Sequence, residues 1–339
     1  MDFRVSDDQR ALAEGVRSLV KGRLPLEHIR LAEGAECAIG PADWAILGEA
    51  GVFSLTRPEP EGVGLGLADA VVVFEELGRA LVPGPLVGTF LAASAGVMEG
   101  AAEGRSQVGV HHGGEGPVLV EHLGALDGLL VLSGFEQGAT ARLLRPPPET
   151  AKATRVTKPL CPLTPLWQLS SLPAGEPVAD VGFRFGRDGS LLTAALQIGH
   201  AAEALDLAVE YAKARHQFGK PIGSFQAVQH MCADMLVRVE VARAALHAAA
   251  CLADDASVVR AEAQGSGLSA DDVVRRAVVG AKMLADEAAI GNVRTAIQVH
   301  GGMGFTWELP LHLHLKRARV LATTFGAPAE LAASLARLT

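Results

Sequence analysis

A chain of 339 residues, 49% hydrophobic and with a mean hydropathy of +0.25, is long enough to bury a large core and to divide into two or three domains. A net charge of −8 and a pI near 5.8, without any basic run, argue against nucleic acid or anionic membrane as the main partner and favour a small-molecule ligand. Cys37, Cys161, Cys232 and Cys251 are too scattered for a disulfide framework or a zinc site, "MDFRVSDDQR" lacks signal-peptide character, and no apolar run reaches membrane length, so a cytoplasmic protein with reduced thiols is expected.

The first hundred residues read as short helices. Ser6 and Gln9 have the spacing of a capping box, and Leu12, Val16, Leu19 and Val20 then recur at helical period. "DWAILGEAG" and "LADAVVVFEELGRALVPGPL" continue the pattern, with "PEPEGVGLG" as a loop between them. From about Gly104 to Arg187 the chain changes to short apolar runs, "GPVLVEHL", "LDGLLVLSG", "ATARLL" and "VADVGFRFG", separated by turn residues; this predicts a small β domain. Long helices then return. Leu191, Ala195, Ile198, Ala202 and Leu205 share one face, and Val228, Cys232, Met235, Val239, Ala242, Leu246 and Ala249 alternate by four and three as a bundle seam does. Ser269 caps a third helix of small residues, and "LPLHLHLKRARVLAT" supplies a fourth. The expected fold is mainly α: an N-terminal helical domain over 1–104, a shortened β-barrel-like domain over 105–187 and a C-terminal four-helix bundle over 188–339.

Two helix interruptions could carry chemistry. "RHQFGKPIGSFQ" offers a cation, a side-chain amide, aromatic rings and glycines, groups suited to a phosphate beside an aromatic base; the plain alternative is a capped helix end with a surface arginine. "QVHGGMGFTWELP" sets three glycines after a Gln and a His, either a helix end or a backbone packed on a ligand. Neither has the strand-turn-helix setting of a nicotinamide fingerprint. His312 and His314, two apart, face different ways on a helix and make a poor metal pair, His111 and His112 read as solvated loop, and no nucleophile elbow or catalytic triad is present.

Taken together, and in this domain order, "RHQFGKPIGSFQAVQ" and "QVHGGMGFTWELP" resemble the two signature segments of the acyl-CoA dehydrogenase family, and "EGVGLGLADAVVVFEELGRALVPGP" is similar to its Gly-rich loop and following helix. The resemblance spans nearly the whole chain. It implies FAD lying extended at a subunit interface, its adenosine and pyrophosphate gripped by Arg215, Gln217, Phe218, Phe225 and Gln226 and by Gln298, Val299, His300, Gly301 and Gly302. It implies no metal.

The same resemblance locates what is missing. The family's reaction needs a carboxylate base. One usual position lies 23 residues beyond Gly302, at Phe325; the other lies 26 residues before Arg215, at Gly189. Neither is an acid, so no catalytic residue is assigned. The segments that hold the flavin ring in the family's middle domain are not found either. The chain therefore looks like the short, base-less subunit of the heteromeric (α2β2) acyl-CoA dehydrogenases of actinobacterial steroid side-chain breakdown. That likeness implies a full-length catalytic partner that also holds most of the acyl-CoA, and electron-transfer flavoprotein as acceptor. The alternatives are a self-sufficient homo-oligomer using Asp188, Glu308 or Glu330 as base, and a non-enzymatic assembly subunit.

Overall fold

The computed structural model describes residues 4–35, 39–113, 118–134 and 138–338, which leaves Cys37 outside it. Five helices come first: α1 (Asp7–Arg23), α2 (Leu26–Arg30), α3 (Pro41–Glu49), α4 (Leu67–Arg79) and α5 (Leu86–Ser94). Ser6 Oγ accepts from the Gln9 backbone N–H at 3.1 Å while Gln9 Oε1 accepts from Ser6 N–H at 3.0 Å, so the capping box forms as the spacing predicts. The amide of Gln9 then reaches Asp69 at 2.9 Å, tying α1 to α4.

Seven short strands follow: β1 (Val108–His112), β2 (Val118–Glu121), β3 (Gly128–Leu132), β4 (Ala141–Leu144), β5 (Thr154–Arg155), β6 (Leu166–Leu169) and β7 (Glu176–Val178). They make one sheet of order β1-β3-β4-β7, with β1 parallel to β3 and the other pairs antiparallel, and a second, antiparallel sheet of order β2-β6-β5. Strand β3 is buried on both faces, as its unbroken apolar run requires. Leu130 and Leu132 join the main core, while Leu129 and Val131 pack with Val120, Trp167 and Leu169 of the second sheet, so period-2 alternation joins two cores through one strand.

The bundle consists of α6 (Gly182–Ala214), α7 (Gln226–Asp254) and α9 (Ala270–His300), with α8 (Ala256–Ser266), α10 (Leu311–Leu321) and α11 (Pro328–Ala336) against them; β8 (His216–Gln217) and β9 (Lys220–Pro221) form a hairpin between α6 and α7. Helix α6 starts earlier than the sequence pattern indicates. Asp180 turns the chain with φ 53° after β7, and "GFRFGR" is the first part of the helix, not a strand. Phe183 and Phe185, two apart, mimic strand alternation over a run too short to separate the two periods, yet both lie on the helix, Phe185 fully buried. Asp254, the last residue of α7, accepts from the N–H groups of Leu67 and Ala68 at 2.9 Å each, capping α4 and fixing the N-terminal helices to the bundle.

Candidate cofactor grip and base position

Both signature segments lie at one end of the bundle. Helix α6 ends at Ala214, where Arg215 turns to extended backbone (φ −78°, ψ 123°), and Ile222 N–H donates to Arg215 O at 2.8 Å to close the hairpin. The turn residues Phe218 and Gly219 have φ of 53° and 78°, the sign that a two-residue hairpin turn needs at both central positions. Gly219 adopts it freely, but Phe218 pays a steric penalty. The Phe218 ring is nonetheless 91% exposed. The hairpin thus holds a large apolar ring in solvent on a strained backbone. Arg215 and Gln217 are exposed on the same hairpin, Gln226 is exposed at the start of α7, and Phe225, half-buried, lies 4.4 Å from Lys220 Nζ and 6.2 Å from the Phe218 ring.

The second segment divides. Gln298, Gly301 and Gly302 are exposed, whereas Val299 and His300 turn inward. His300 Nδ1 lies 2.8 Å from Ala296 O and its ring stacks on Tyr211, one turn before Arg215, at 4.3 Å. That stack joins the two segments. It also limits Val299 and His300: their side chains belong to the bundle end, and only their backbone is available to a ligand. Gly301 has φ 57° and ψ −132°, a conformation that L side chains avoid, and a Cβ built on it would meet nothing within 4 Å, so the surface there is open.

The histidines sort differently from the sequence reading. His111 and His112 are not loop residues but lie in β1, half-buried, and burial lowers the pKa of both. His314 is buried with its Nδ1 3.0 Å from that of His200, and burial lowers it to about 3; His312 instead stacks on Trp307 at 4.1 Å. Two apart, they do face different partners. Among the described residues no group of three or more metal-ligating side chains occurs.

The two base positions meet. Phe325 is 1% exposed, with φ 59°, and a Cβ built on Gly189 would come within 2.1 Å of its Cζ. The Phe325 ring also lies beside that of His112, centroids 5.5 Å apart and tilted. Phe325 and His112 help to wall an open cavity of about 570 Å³ between the β domain and the end of α10, further lined by Ser133, Thr323 and Glu330. Of the three acids weighed as replacement bases, Glu330 alone lines this cavity, and its Oε2 accepts from Ala327 N–H at 2.8 Å, capping α11. Asp188 is buried and paired with Arg187 at 2.7 Å; burial raises its pKa against that cation. Glu308 lies away from the cavity, its carbonyl facing Arg30.

One polar cluster escapes the sequence reading. Lys282, fully buried, donates to Asp286 Oδ1 and Oδ2 at 2.8 and 2.6 Å and to Leu321 O at 3.1 Å, and Gln197 donates to Asp286 at 2.7 Å. It ties α6, α9 and α10 together just before Phe325. An acid and a base at i, i+4 on a face that also holds Val278, Ala281 and Ala285 was the available signal.

Comparison with known proteins agrees with this architecture. Residues 6–107 match the acyl-CoA dehydrogenase N-terminal domain and residues 175–337 match the acyl-CoA dehydrogenase C-terminal domain. The acyl-CoA dehydrogenase IpdE2 of Mycolicibacterium smegmatis is 34% identical over 332 residues, covering 96% of this chain and 97% of that one. The solved ChsE4-ChsE5 complex from Mycobacterium tuberculosis contains a chain that superposes with a TM-score of 0.80 at 24% identity, over 99% of this chain and 98% of that one. The structure described as a Tcur3481-Tcur3483 steroid ACAD variant does so with a TM-score of 0.80 at 23% identity, over 99% and 98%. With the domain order, the hairpin and the glycine segment all in place, this chain belongs to the acyl-CoA dehydrogenase family.

Proposed function

We propose that this chain is the base-less subunit of a heteromeric acyl-CoA dehydrogenase, lending half of an FAD site to a catalytic partner in the cytoplasm. The observation that carries the reading is the contrast between the two ends of α6. At its C-terminal end Arg215 and the exposed Phe218 face solvent, while near its start Gly189 is covered by Phe325, so a retained grip coexists with a lost base. The 26 residues between Gly189 and Arg215 span roughly 40 Å of helix, so the closed and open positions are well separated.

The residues present fit the adenosine and phosphate end of FAD. Arg215 supplies a guanidinium for charge-assisted hydrogen bonds to phosphate, Gly301 and Gly302 leave the backbone open to close approach, and Phe218 offers a ring face to the adenine or ribose. Gln217 and Gln226 add amides at the rim, and Gln298 adds one beside the glycines. FAD held by these residues would supply the hydride acceptor for the β-hydrogen of an acyl-CoA thioester. This chain's own part is binding and orientation; the proton at the α-carbon would fall to a carboxylate of the partner, and electron-transfer flavoprotein would serve as the electron acceptor.

A partner surface is available: Leu236, Val237 and Val241 on α7 and Leu284 on α9 are exposed apolar side chains on the bundle. The similar ChsE4-ChsE5 structure is of a complex, and the similar Tcur3481-Tcur3483 structure is of a steroid ACAD. By that likeness the acyl group is steroid-derived. No helix among the described residues is long and apolar enough to cross a membrane.

Co-expression with a full-length acyl-CoA dehydrogenase subunit, with the tag on this chain, tests the proposal. The expected product is an α2β2 assembly that holds FAD and desaturates an acyl-CoA with a dye acceptor, against a colourless, inactive chain when purified alone. A lone chain with stoichiometric FAD and turnover lost on Glu330→Gln would replace it with the self-sufficient reading, which the position of Glu330 in the cavity favours over Asp188 and Glu308.

A further inference from the structure

The absence of an acid at two positions far apart in sequence is, in space, a single event. Gly189 lies in the third turn of α6 and Phe325 follows α10, yet the Phe325 ring occupies the volume into which a side chain at Gly189 would project: an ideal Cβ there falls 2.1 Å from Cζ, 2.3 Å from Cε1 and 2.9 Å from Cε2. Real Cβ contacts are never that close, so the ring would have to swing toward the cavity it lines or the helix would have to move. The ring is 1% exposed, His112 lies toward it from β1, and its backbone is held in the left-handed region at φ 59°. The carbonyl of Leu321, at the end of α10, is anchored by buried Lys282. A non-glycine residue tolerates that φ only where the surroundings over-determine it, and here the ring seated against Gly189 supplies part of that determination.

We propose that Phe325 and Gly189 form a plug and socket that closes the base position of this chain, so that an acid cannot enter at Gly189 unless the ring at 325 is first removed. Glycine at 189 is then required by the ring, not left over from a missing acid. Position 325 is not blocked in the same way, because a smaller side chain there opens the slot. The closure is therefore asymmetric. It also gives the cavity an aromatic wall, Phe325 with His112, where a carboxylate would otherwise charge it. The functional meaning of the plug rests on the base-less reading above, but its packing does not, and the test below reads packing alone.

A double-mutant cycle on the full chain, read by thermal unfolding, decides it. Gly189→Ala alone is expected to lower the melting midpoint by roughly 2–4 °C, the effect of overpacking a buried site in a chain of this size, although alanine is the better helix former. In the Phe325→Ala background the same Gly189→Ala change is expected to move the midpoint by less than about 1 °C, or to raise it. Gly189→Glu is expected to give little soluble protein alone and to regain yield with Phe325→Ala, so the comparison survives failure of a single variant to fold. Equal shifts from Gly189→Ala in both backgrounds, or failure of Gly189→Glu to regain yield with Phe325→Ala, would overturn the plug while leaving the base-less reading untouched. Turnover by the lone wild-type chain would remove that reading and leave the plug standing.

Discussion

The two ends of helix α6 have opposite physics. At Arg215 the chain leaves the helix into a hairpin that keeps Arg215, the Gln217 amide and a strained phenylalanine in water. At Gly189 the same helix is sealed, with Phe325 over it and a buried ion pair behind. On the proposed reading the exposed groups at the open end serve a ligand or partner, whereas the groups withdrawn from water at the closed end hold the fold. Substitutions at the closed end should therefore register in stability, and substitutions at the open end in binding.

The largest effect is expected in the closed region. Lys282→Met removes the ammonium and leaves Asp286 buried with only Gln197 as donor; breaking one partner of such a pair costs about 3–5 kcal/mol. Urea unfolding with an unchanged slope and an earlier midpoint would show it. A loss below about 1 kcal/mol would mean that Asp286 takes up a proton at little cost, in keeping with the upward push that burial gives its pKa.

A second, smaller effect is a pH dependence. His314 is held at about 3 against 6.5 by burial first, with Arg79 and His312 adding to the effect, and its partner His200 is held well below 6.5 by burial first, with His314 and Arg317 adding to it. The folded state thus binds these protons more weakly than the unfolded chain does. Their contribution is intact above about pH 6.5 and declines as pH falls toward about 3, because the unfolded state is protonated first. Melting midpoints taken between pH 7.5 and 5 should fall less steeply in His314→Phe than in the wild type; His122, lowered to about 4 by burial, leaves a residual slope. Identical slopes would assign the acid sensitivity elsewhere.

Much of this architecture is legible in the sequence, for definite reasons. The capping box at Ser6, the cap at Ser269 and the α7 seam depend on local spacing, and Met235, Val239, Ala242, Leu246 and Ala249 are all buried. Val228 and Cys232, at the first turns of that seam, are only partly covered because the helix there runs out beside the hairpin. What was not legible depends on long-range partners. His112 looked like loop because its strand pairs in parallel with β3, across an intervening strand, and no turn signal announces such a pair. The contact of Phe325 with Gly189, separated by 136 residues, has no local signature at all. The hairpin residues could be named from their motif, but the inward turn of Val299 and His300 follows from the Tyr211 stack, which only the fold supplies.

At the open end, Phe218→Gly should make the chain more stable, not less. It releases a left-handed phenylalanine, worth about 1–2 kcal/mol, against the roughly 0.5–1 kcal/mol that glycine costs through the unfolded chain, for a net gain near 0.5 kcal/mol. Flavin retention by the α2β2 assembly should fall several-fold at the same time. Stabilisation with unchanged flavin content would mean that the strain serves a protein contact instead.

The smallest stability effect belongs to Arg215→Ala. The side chain is exposed at a helix end, so unfolding free energy should change by less than about 0.5 kcal/mol. If the guanidinium pairs with phosphate, the same change removes a charge-assisted hydrogen bond worth about 1.5–3 kcal/mol and weakens FAD binding by ten-fold or more, measured by flavin fluorescence titration of the apo-assembly. Arg215→Lys should recover only part of the loss, since an ammonium cannot make the two-pronged contact. A variant as stable as the wild type and as tightly loaded with flavin would separate the hairpin from the cofactor and make it a docking element for the partner alone; a stable variant that has lost its flavin fixes the open end of α6 as the part of this chain that works on another chain's chemistry.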